Sequence, residues 1–301
     1  DPAADLPRTL CYLNGEYTAL QDAKISVLDR GFIFGDGVYE VLPVYAGKPF
    51  RFAQHMARLD RSLGELRMAN PLTHAAWQAV AAKLIASYAQ VAGVSADKLD
   101  QLIYIQVTRG VALRDHVMTT GLAPTVFVMT NLMKPVPATQ RATGVACVTA
   151  DDFRWEKAHI KSTSLLGAVF SRQISFDAGA LETVMFRRGY LSEAAASNVW
   201  VVKDGCVLGT PLDNLVLEGT KTTVRLTGDQ FRRALKHLLE LAAQLAACDH
   251  VVEHQPRAVT VTQANPADAR RQALEGDALG GHVQPAVHAG FVGEQLFDLG
   301  V

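Results

Sequence analysis

The chain has 301 residues, enough to bury a substantial core and to form two domains of ordinary size. Its 29 basic and 30 acidic residues are well mixed and leave a formal net charge of -1, which argues against a nucleic-acid or membrane-surface partner and for a small-molecule one. Cys11, Cys147, Cys206 and Cys248 lie far apart, with no CxxC pair and no histidine at metal-ligand spacing, so they read as reduced thiols of a cytoplasmic protein with no metal expected.

Leu10 to Leu20 reads as a hairpin, because Asn14-Gly15 supplies the positive φ angles of a tight turn between Leu10-Cys11-Tyr12-Leu13 and Tyr17. Val38 to Tyr45 reads as a strand. Ala53 to Met68 then places Met56, Leu59, Leu63 and Leu66 at helical spacing, and Ala75 to Val91 does the same with Trp77, Val80, Leu84 and Tyr88. Leu102 to Thr108 and Thr125 to Met129 are rich in β-branched residues and read as strands around a loop, Arg109 to Pro124, long enough to be functional. Two prolines in NLMKPVPATQ mark a linker at 131–140, between an N-terminal domain over 1–130 and a C-terminal domain over 141–301.

In the second domain strands are expected at Val145 to Thr149, Thr183 to Arg187 and Asn198 to Val202, with a hairpin turn at Asp204-Gly205. Helices are expected from about Ser164 to Ala178 and from Phe231 to Ala246, the second from the spacing of Leu235, Leu238, Leu239, Ala242 and Leu245. The segment 249–301 is atypical, rich in Ala, Gln, Arg, His and Gly with poor periodicity. No apolar run approaches the length of a membrane span, and the N-terminus lacks a signal pattern; the start at Asp1 leaves room for a removed leader.

Lys161, in AHIKSTSLLG, is the most informative single residue. A lone lysine ahead of an apolar helix start suits Schiff-base chemistry, which needs a deprotonated amine in a partly buried pocket, while on this segment alone a snorkelling lysine at a helix start is the simpler reading. The run DRGFIFGDGVYEV holds three glycines, with Asp36 between two of them, and reads as a tight turn feeding a strand because the Walker and Rossmann spacings are both absent. Arg58, near His55 and Arg61 on the first long helix, is either solvated or turned inward to hold a phosphate. On the loop TRGVALRDH, Arg114 and His116 can converge on one carboxylate or belong to a mobile surface loop. Glu193, after the Gly189-Tyr190 turn and beside small residues, is either a solvated turn glutamate or a carboxylate that approaches a ligand closely.

Together, the run from Tyr12 through Leu63, then VTRGVALRDH, IKSTSLLG and YLSEAAASNVWVVKDG, resembles the class IV, fold type IV, pyridoxal-phosphate aminotransferases over roughly Leu10 to Leu217. Within them the D-amino-acid aminotransferase subfamily is the most similar. The resemblance implies an α+β fold, with a smaller N-terminal α/β domain, a larger C-terminal domain and the pyridoxal 5′-phosphate cofactor at their interface. It implies that Lys161 forms the Schiff base and carries the substrate proton. Glu193 is then expected at the pyridine nitrogen, Arg58 on the cofactor phosphate and Leu217 against the ring face, with Ser197, Asn198, Thr220 and Thr262 as further cofactor ligands.

Tyr39, Arg114 and His116 match that subfamily's trap for the substrate α-carboxylate, which leaves the α-hydrogen of a D-amino acid facing the lysine. The Arg and His of this trap come from the neighbouring subunit in the family, which implies a homodimer. The implied reaction is amino transfer from a D-amino acid, such as D-alanine, to a 2-oxo acid, such as 2-oxoglutarate. The alternatives are a branched-chain L-amino-acid aminotransferase, an aminodeoxychorismate lyase and a non-catalytic relative. Ala194-Ala195-Ala196 stand where the family usually has Gly-Ser-Ser, and Gly219-Thr220-Lys221-Thr222 where it has a Gly-Ile-Thr phosphate turn.

Overall fold

The computed structural model of the protein describes residues 9–203 and 206–220, together with the backbone of 288 and 289. Two compact units divide the chain, the first formed by 1–135 and 157–165, the second by 136–156 and most of the chain after 165. The expected turn at Asp204-Gly205, the helix from Phe231 to Ala246, Thr262 and the rest of the atypical tail lie outside the described residues, apart from the short strand at 288–289.

In the first unit β1 (Leu10–Leu13) and β2 (Glu16–Ala19) form a hairpin in which Asn14 and Gly15 take φ of 51° and 99°, as the Asn-Gly pair requires. A one-turn helix follows, α1 (Arg30–Phe34), where the sequence suggests only a tight turn. Its cause is local: the Asp29 carboxylate accepts the Gly31 N–H at 2.8 Å as an N-cap, and Gly35 closes the turn at φ 66°. Strand β3 (Gly37–Tyr45) then runs antiparallel to β5 (Gln101–Thr108), and β4 (Lys48–Pro49) lies on its other side. With β6 (Thr125–Leu132) the sheet order is β2-β1-β6-β5-β3-β4.

Helices α2 (Phe52–Glu65) and α3 (His74–Val91) cover one face of this sheet. Thr73 caps α3 by accepting the Ala76 N–H. The core joins Met56, Leu59 and Leu63 of α2 and Trp77 and Leu84 of α3 to Val38, Leu42 and Val44 of β3 and Ile103 and Ile105 of β5. Each such side chain contributes about 1.5–3 kcal/mol by leaving water. Alternation along β3 puts Val38, Glu40, Leu42 and Val44 on that face and turns Tyr39 to the other. There Tyr39 stacks on Tyr104 at 5.8 Å, and Tyr104 meets Phe127 at 6.4 Å.

In the second unit α4 (Ala138–Thr143) precedes β7 (Val145–Asp151), which pairs in parallel with β8 (Glu182–Arg187) through the crossover helix α5 (Leu166–Asp177). Strand β9 (Tyr190–Ala194) is antiparallel to β8, and β10 (Trp200–Lys203) and β11 (Cys206–Gly209) form a separate hairpin. A short strand, β12 (His288–Ala289), completes the order β12-β7-β8-β9. The reading of Glu193 as a solvated turn residue is overturned, since Glu193 lies buried within β9. Three of the five residues in β9 are buried, among them the polar Ser192 and Glu193, so no apolar alternation marks this strand in the sequence.

Leu42→Ala should cost about 2–5 kcal/mol, because Leu42 is fully buried at the centre of the first core. Urea unfolding should show a lower midpoint at unchanged slope.

Candidate active site

Glu40 is the one carboxylate on the helix-facing side of β3, and it is 0% exposed. Its partners are dictated by α2, where His55 and Arg58 are three residues apart and so share a face. Arg58 donates from Nε to Glu40 Oε1 at 2.7 Å and from Nη2 to Oε2 at 2.8 Å, a bidentate fork, while His55 Nδ1 lies 2.8 Å from Oε2. Burial pushes the Glu40 carboxyl up, but the charge and hydrogen bonds of Arg58, joined by His55, outweigh it and hold its pKa at about 2. Arg58 is therefore an inward residue, 5% exposed, and of its neighbours His55 and Arg61 only His55 is buried with it.

Lys161 is not a snorkelling lysine, being 9% exposed and outside any helix. Its segment packs with the first unit by extending the edge of β3: Tyr39 donates its N–H to the Lys161 carbonyl at 2.9 Å, and Thr163 donates to Gly37 O at 2.9 Å. That register sets the Lys161 and Tyr39 side chains on the same face, with Lys161 Nζ 4.3 Å from the centre of the Tyr39 ring. No hydrogen bond or ion pair reaches this Nζ among the described residues, which leaves the amine available to a ligand.

Three further hydrogen bonds fix the segment. Ser62, one turn beyond Arg58 on α2, accepts the Lys161 N–H on its hydroxyl at 3.3 Å. Thr163 and Ser164 donate their hydroxyls to Gly35 O at 2.9 and 3.0 Å, and a Cβ on Gly35 would come within 2.6 Å of Ser164 Oγ. This contact accounts for a glycine at position 35 in addition to its positive φ.

The second unit places Glu193, Asn198 and Leu217 together. Glu193 Oε2 accepts the Leu217 N–H at 3.2 Å and Asn198 Nδ2 at 3.3 Å, and Asn198 Nδ2 also donates to Leu217 O at 2.9 Å. Glu193 Oε1 accepts Arg154 Nη1 at 2.8 Å. Arg154 is the residue that the sequence reading misses. It is clamped by Asp152, which also accepts Ser192 Oγ at 2.6 Å and forms an ion pair with Arg187 Nη2 at 3.1 Å. The signal was a charged pair two apart, Asp152 and Arg154, directly after a strand. Ser197 donates to Glu182 at 2.9 Å, and Ala194 and Ala195 are buried, with their N–H groups donating to Ser197 O and Thr183 O.

The two carboxylates of this network are held differently. Burial raises the Asp152 carboxyl, but Arg154 and Ser192 overcome it and bring its pKa to about 2. Burial also dominates at Glu193 and leaves its pKa raised, with Arg154 and the Leu217 N–H opposing and Asp152 adding to the rise. Burial works against the charge of Arg154, but the hydrogen bonds and charges of Asp152 and Glu193 outweigh it and shift the guanidinium toward its charged form, while Glu193 shares that one guanidinium. We take Glu193 as the less firmly ionised of the two, on that sharing.

On the loop 109–124, Arg114 and His116 are exposed and meet on the ring of Phe34, Arg114 Cζ at 5.5 Å and the His116 ring at 5.3 Å. No hydrogen bond or ring contact joins either to Tyr39. Among the described residues no cluster of His, Cys, Asp and Glu could hold a metal, and no helix is long and apolar enough to cross a membrane.

The family model for class IV amino-transferases matches residues 37–228. The chain is 31% identical to a D-alanine aminotransferase of Staphylococcus epidermidis over 245 residues, 81% of this chain and 84% of that one. It is 34% identical to a D-alanine aminotransferase of Bacillus licheniformis over 206 residues, 68% of this chain and 70% of that one. In fold it is similar to a fold IV transaminase from Curtobacterium pusillum, with a TM-score of 0.61 at 23% identity over 73% of this chain and 74% of that one. It is similar also to the PLP-bound form of a hypothetical aminotransferase from Mycobacterium tuberculosis, with a TM-score of 0.59 at 23% identity over 79% and 78% of the two chains.

Glu40 gives the site an acid-sensitive foundation. Its folded-state pKa, about 2, lies below the ordinary 4.5, so its stabilisation is complete above pH 4.5 and is lost as the pH falls through 2. That contribution is about 3 kcal/mol, and Glu40→Gln should remove it from the acid limb of the stability curve, read by urea unfolding at stepped pH.

Proposed function

The chain belongs to the class IV aminotransferase family, and from that premise we propose that it transfers the amino group of a D-amino acid, such as D-alanine, to a 2-oxo acid, such as 2-oxoglutarate, with pyridoxal phosphate as cofactor. The observation that carries the reading is the buried Lys161 amine, which has an aromatic face beneath it and, among the described residues, no hydrogen-bonding or anionic partner. The identity of 31–34% to D-alanine aminotransferases supports the D-handed donor.

The residues present fit the cofactor. A carboxylate has about four acceptor positions; Glu193 Oε2 takes two donors and Oε1 takes Arg154, so Oε1 keeps a position for a ring N–H. When bound, the cofactor supplies an electron sink for the pair left at the substrate α-carbon. Lys161 Nζ is the amine that would hold the cofactor through its aldehyde carbon, with loss of water, and when free it would take and return the substrate α-proton. Glu193 would hold a positive charge at the ring nitrogen, and Arg154 opposes the rise that burial imposes on that carboxylate. Arg58, fixed in direction by Glu40, serves the phosphate, with Thr220 as a further ligand; Asn198 and Leu217 brace Glu193 and the ring.

Tyr39, Arg114 and His116 orient the substrate carboxylate, the latter two reaching it from a second copy of the chain. A homodimer is supported by the apolar surface beside this loop, where Val27, Phe32, Leu113 and Val117 are 72, 69, 82 and 67% exposed. The free thiols of Cys11 and Cys147 go with a cytoplasmic setting.

The test is the visible spectrum of the purified protein with pyridoxal phosphate, before and after D-alanine and, separately, L-leucine. Loss of the cofactor band with D-alanine alone is expected. Loss with L-leucine alone moves the assignment to an L-specific transaminase, and a protein that stays colourless refutes cofactor binding. Lys161→Ala should abolish turnover while the fold persists by circular dichroism. Arg114→Ala should raise KM for D-alanine by roughly 10-fold or more, as expected when a charged partner of the carboxylate is lost.

A further inference from the structure

The two side chains assigned to the substrate carboxylate are exposed and lie on a long loop, where long polar side chains ordinarily exchange between several rotamers. The structure limits that freedom through α1. The Phe34 ring carries Arg114 Cζ at 5.5 Å, the His116 ring at 5.3 Å and 49°, and Arg30 Cζ at 4.8 Å. Arg30 is buried, and its Nη1 donates to the carbonyl oxygen of Asp115 at 2.6 Å, the peptide lying between Arg114 and His116. Arg30 is itself held: its Nε donates to Asp36 Oδ2 at 2.8 Å, and Arg109, at the start of the loop, donates to the same carboxylate from Nε at 2.8 Å and Nη2 at 3.1 Å. Arg109 Nη2 further donates to Leu66 O at 2.8 Å, and Arg30 N to Gly110 O at 2.9 Å. Burial raises the Asp36 carboxyl, yet the two guanidiniums outweigh it and keep it ionised.

We propose that Phe34 and Arg30 form a positioning platform for the substrate carboxylate, Phe34 gathering the Arg114 and His116 side chains and Arg30 pinning the peptide between them. The inference rests on the reading of Arg114 and His116 as the carboxylate-binding pair. Neither platform residue touches substrate. Their effect is to reduce the conformations that the pair must abandon on binding, so it falls on KM and leaves kcat and the cofactor alone.

The experiment compares Phe34→Leu, Phe34→Tyr and Arg114→Ala as holoenzymes. Phe34→Leu keeps an apolar side chain and removes the π face, and loss of two weak ring contacts should raise KM for D-alanine roughly fivefold. Its kcat should stay within about twofold and its cofactor band unchanged, while Phe34→Tyr, which keeps the ring, restores the wild-type KM. An unchanged KM in Phe34→Leu, with a raised KM in Arg114→Ala, overturns the platform and leaves the carboxylate pair standing. An unchanged KM in Arg114→Ala removes the pair and the platform together. Loss of kcat and of the cofactor band in Phe34→Leu without rescue by Phe34→Tyr assigns Phe34 a merely structural role and also overturns it. Where Phe34→Leu does not fold, Arg30→Lys serves: a single ammonium cannot reproduce the fork that spans Asp36 and the Asp115 carbonyl, so KM should rise, and an unchanged KM is again decisive against the proposal.

Discussion

A buried carboxylate on a strand has to be matched by a cation on whatever covers that strand, and Glu40 imposes this condition on the first unit. Placed at 0% exposure among Val38, Leu42 and Val44, it requires a partner on α2, and only a residue on the inward face can serve. The fork to Arg58 and the contact to His55 therefore fix the rotation of α2 about its axis. With that rotation set, Met56, Leu59 and Leu63 enter the core and Ser62 reaches the backbone of Lys161. Much of the geometry around the lysine thus follows from one ion pair that is expensive to bury and more expensive to break.

The other face of the same strand carries Tyr39. Because side chains alternate, the residue next to Glu40 points away from the helices, and the antiparallel pairing at the sheet edge brings Lys161 over it. Backbone bonds on both sides of the pairing hold the lysine segment as an added edge of the sheet. A reactive side chain on such a support has fewer backbone degrees of freedom than one on an open loop.

In the second unit the electrostatics are graded. Arg154 lies between two carboxylates, and the one with more donors, Asp152, is held at a pKa of about 2, while Glu193 stays closer to neutrality because burial dominates there. A carboxylate so placed gains from any further positive hydrogen-bond donor. Ala194 and Ala195, directly after Glu193, are accommodated through backbone bonds, with Ala194 N donating to Ser197 O and Ala195 N to Thr183 O.

The sequence by itself determined what depends on local periodicity and local turn chemistry. The helix of Met56, Leu59 and Leu63, the helix of Trp77 and Leu84, the β-branched strands and the Asn14-Gly15 hairpin all satisfy a repeat or a φ requirement carried by neighbouring residues. The Lys161 and Glu193 motifs were legible because each joins a special residue to a recognisable run. Only the tertiary structure decided the partners. Glu40 could have been suspected as a charge at an inward position of an apolar strand, but its match to Arg58 spans 18 residues of chain, and the clamp of Arg109 on Asp36 spans 73. Arg154 at Glu193, Arg30 at the Asp115 carbonyl and the placement of Lys161 beside Tyr39 are likewise long-range pairings. Periodicity tells which face of an element is buried; which charge waits on the facing element depends on how the elements pack, and no local pattern records that.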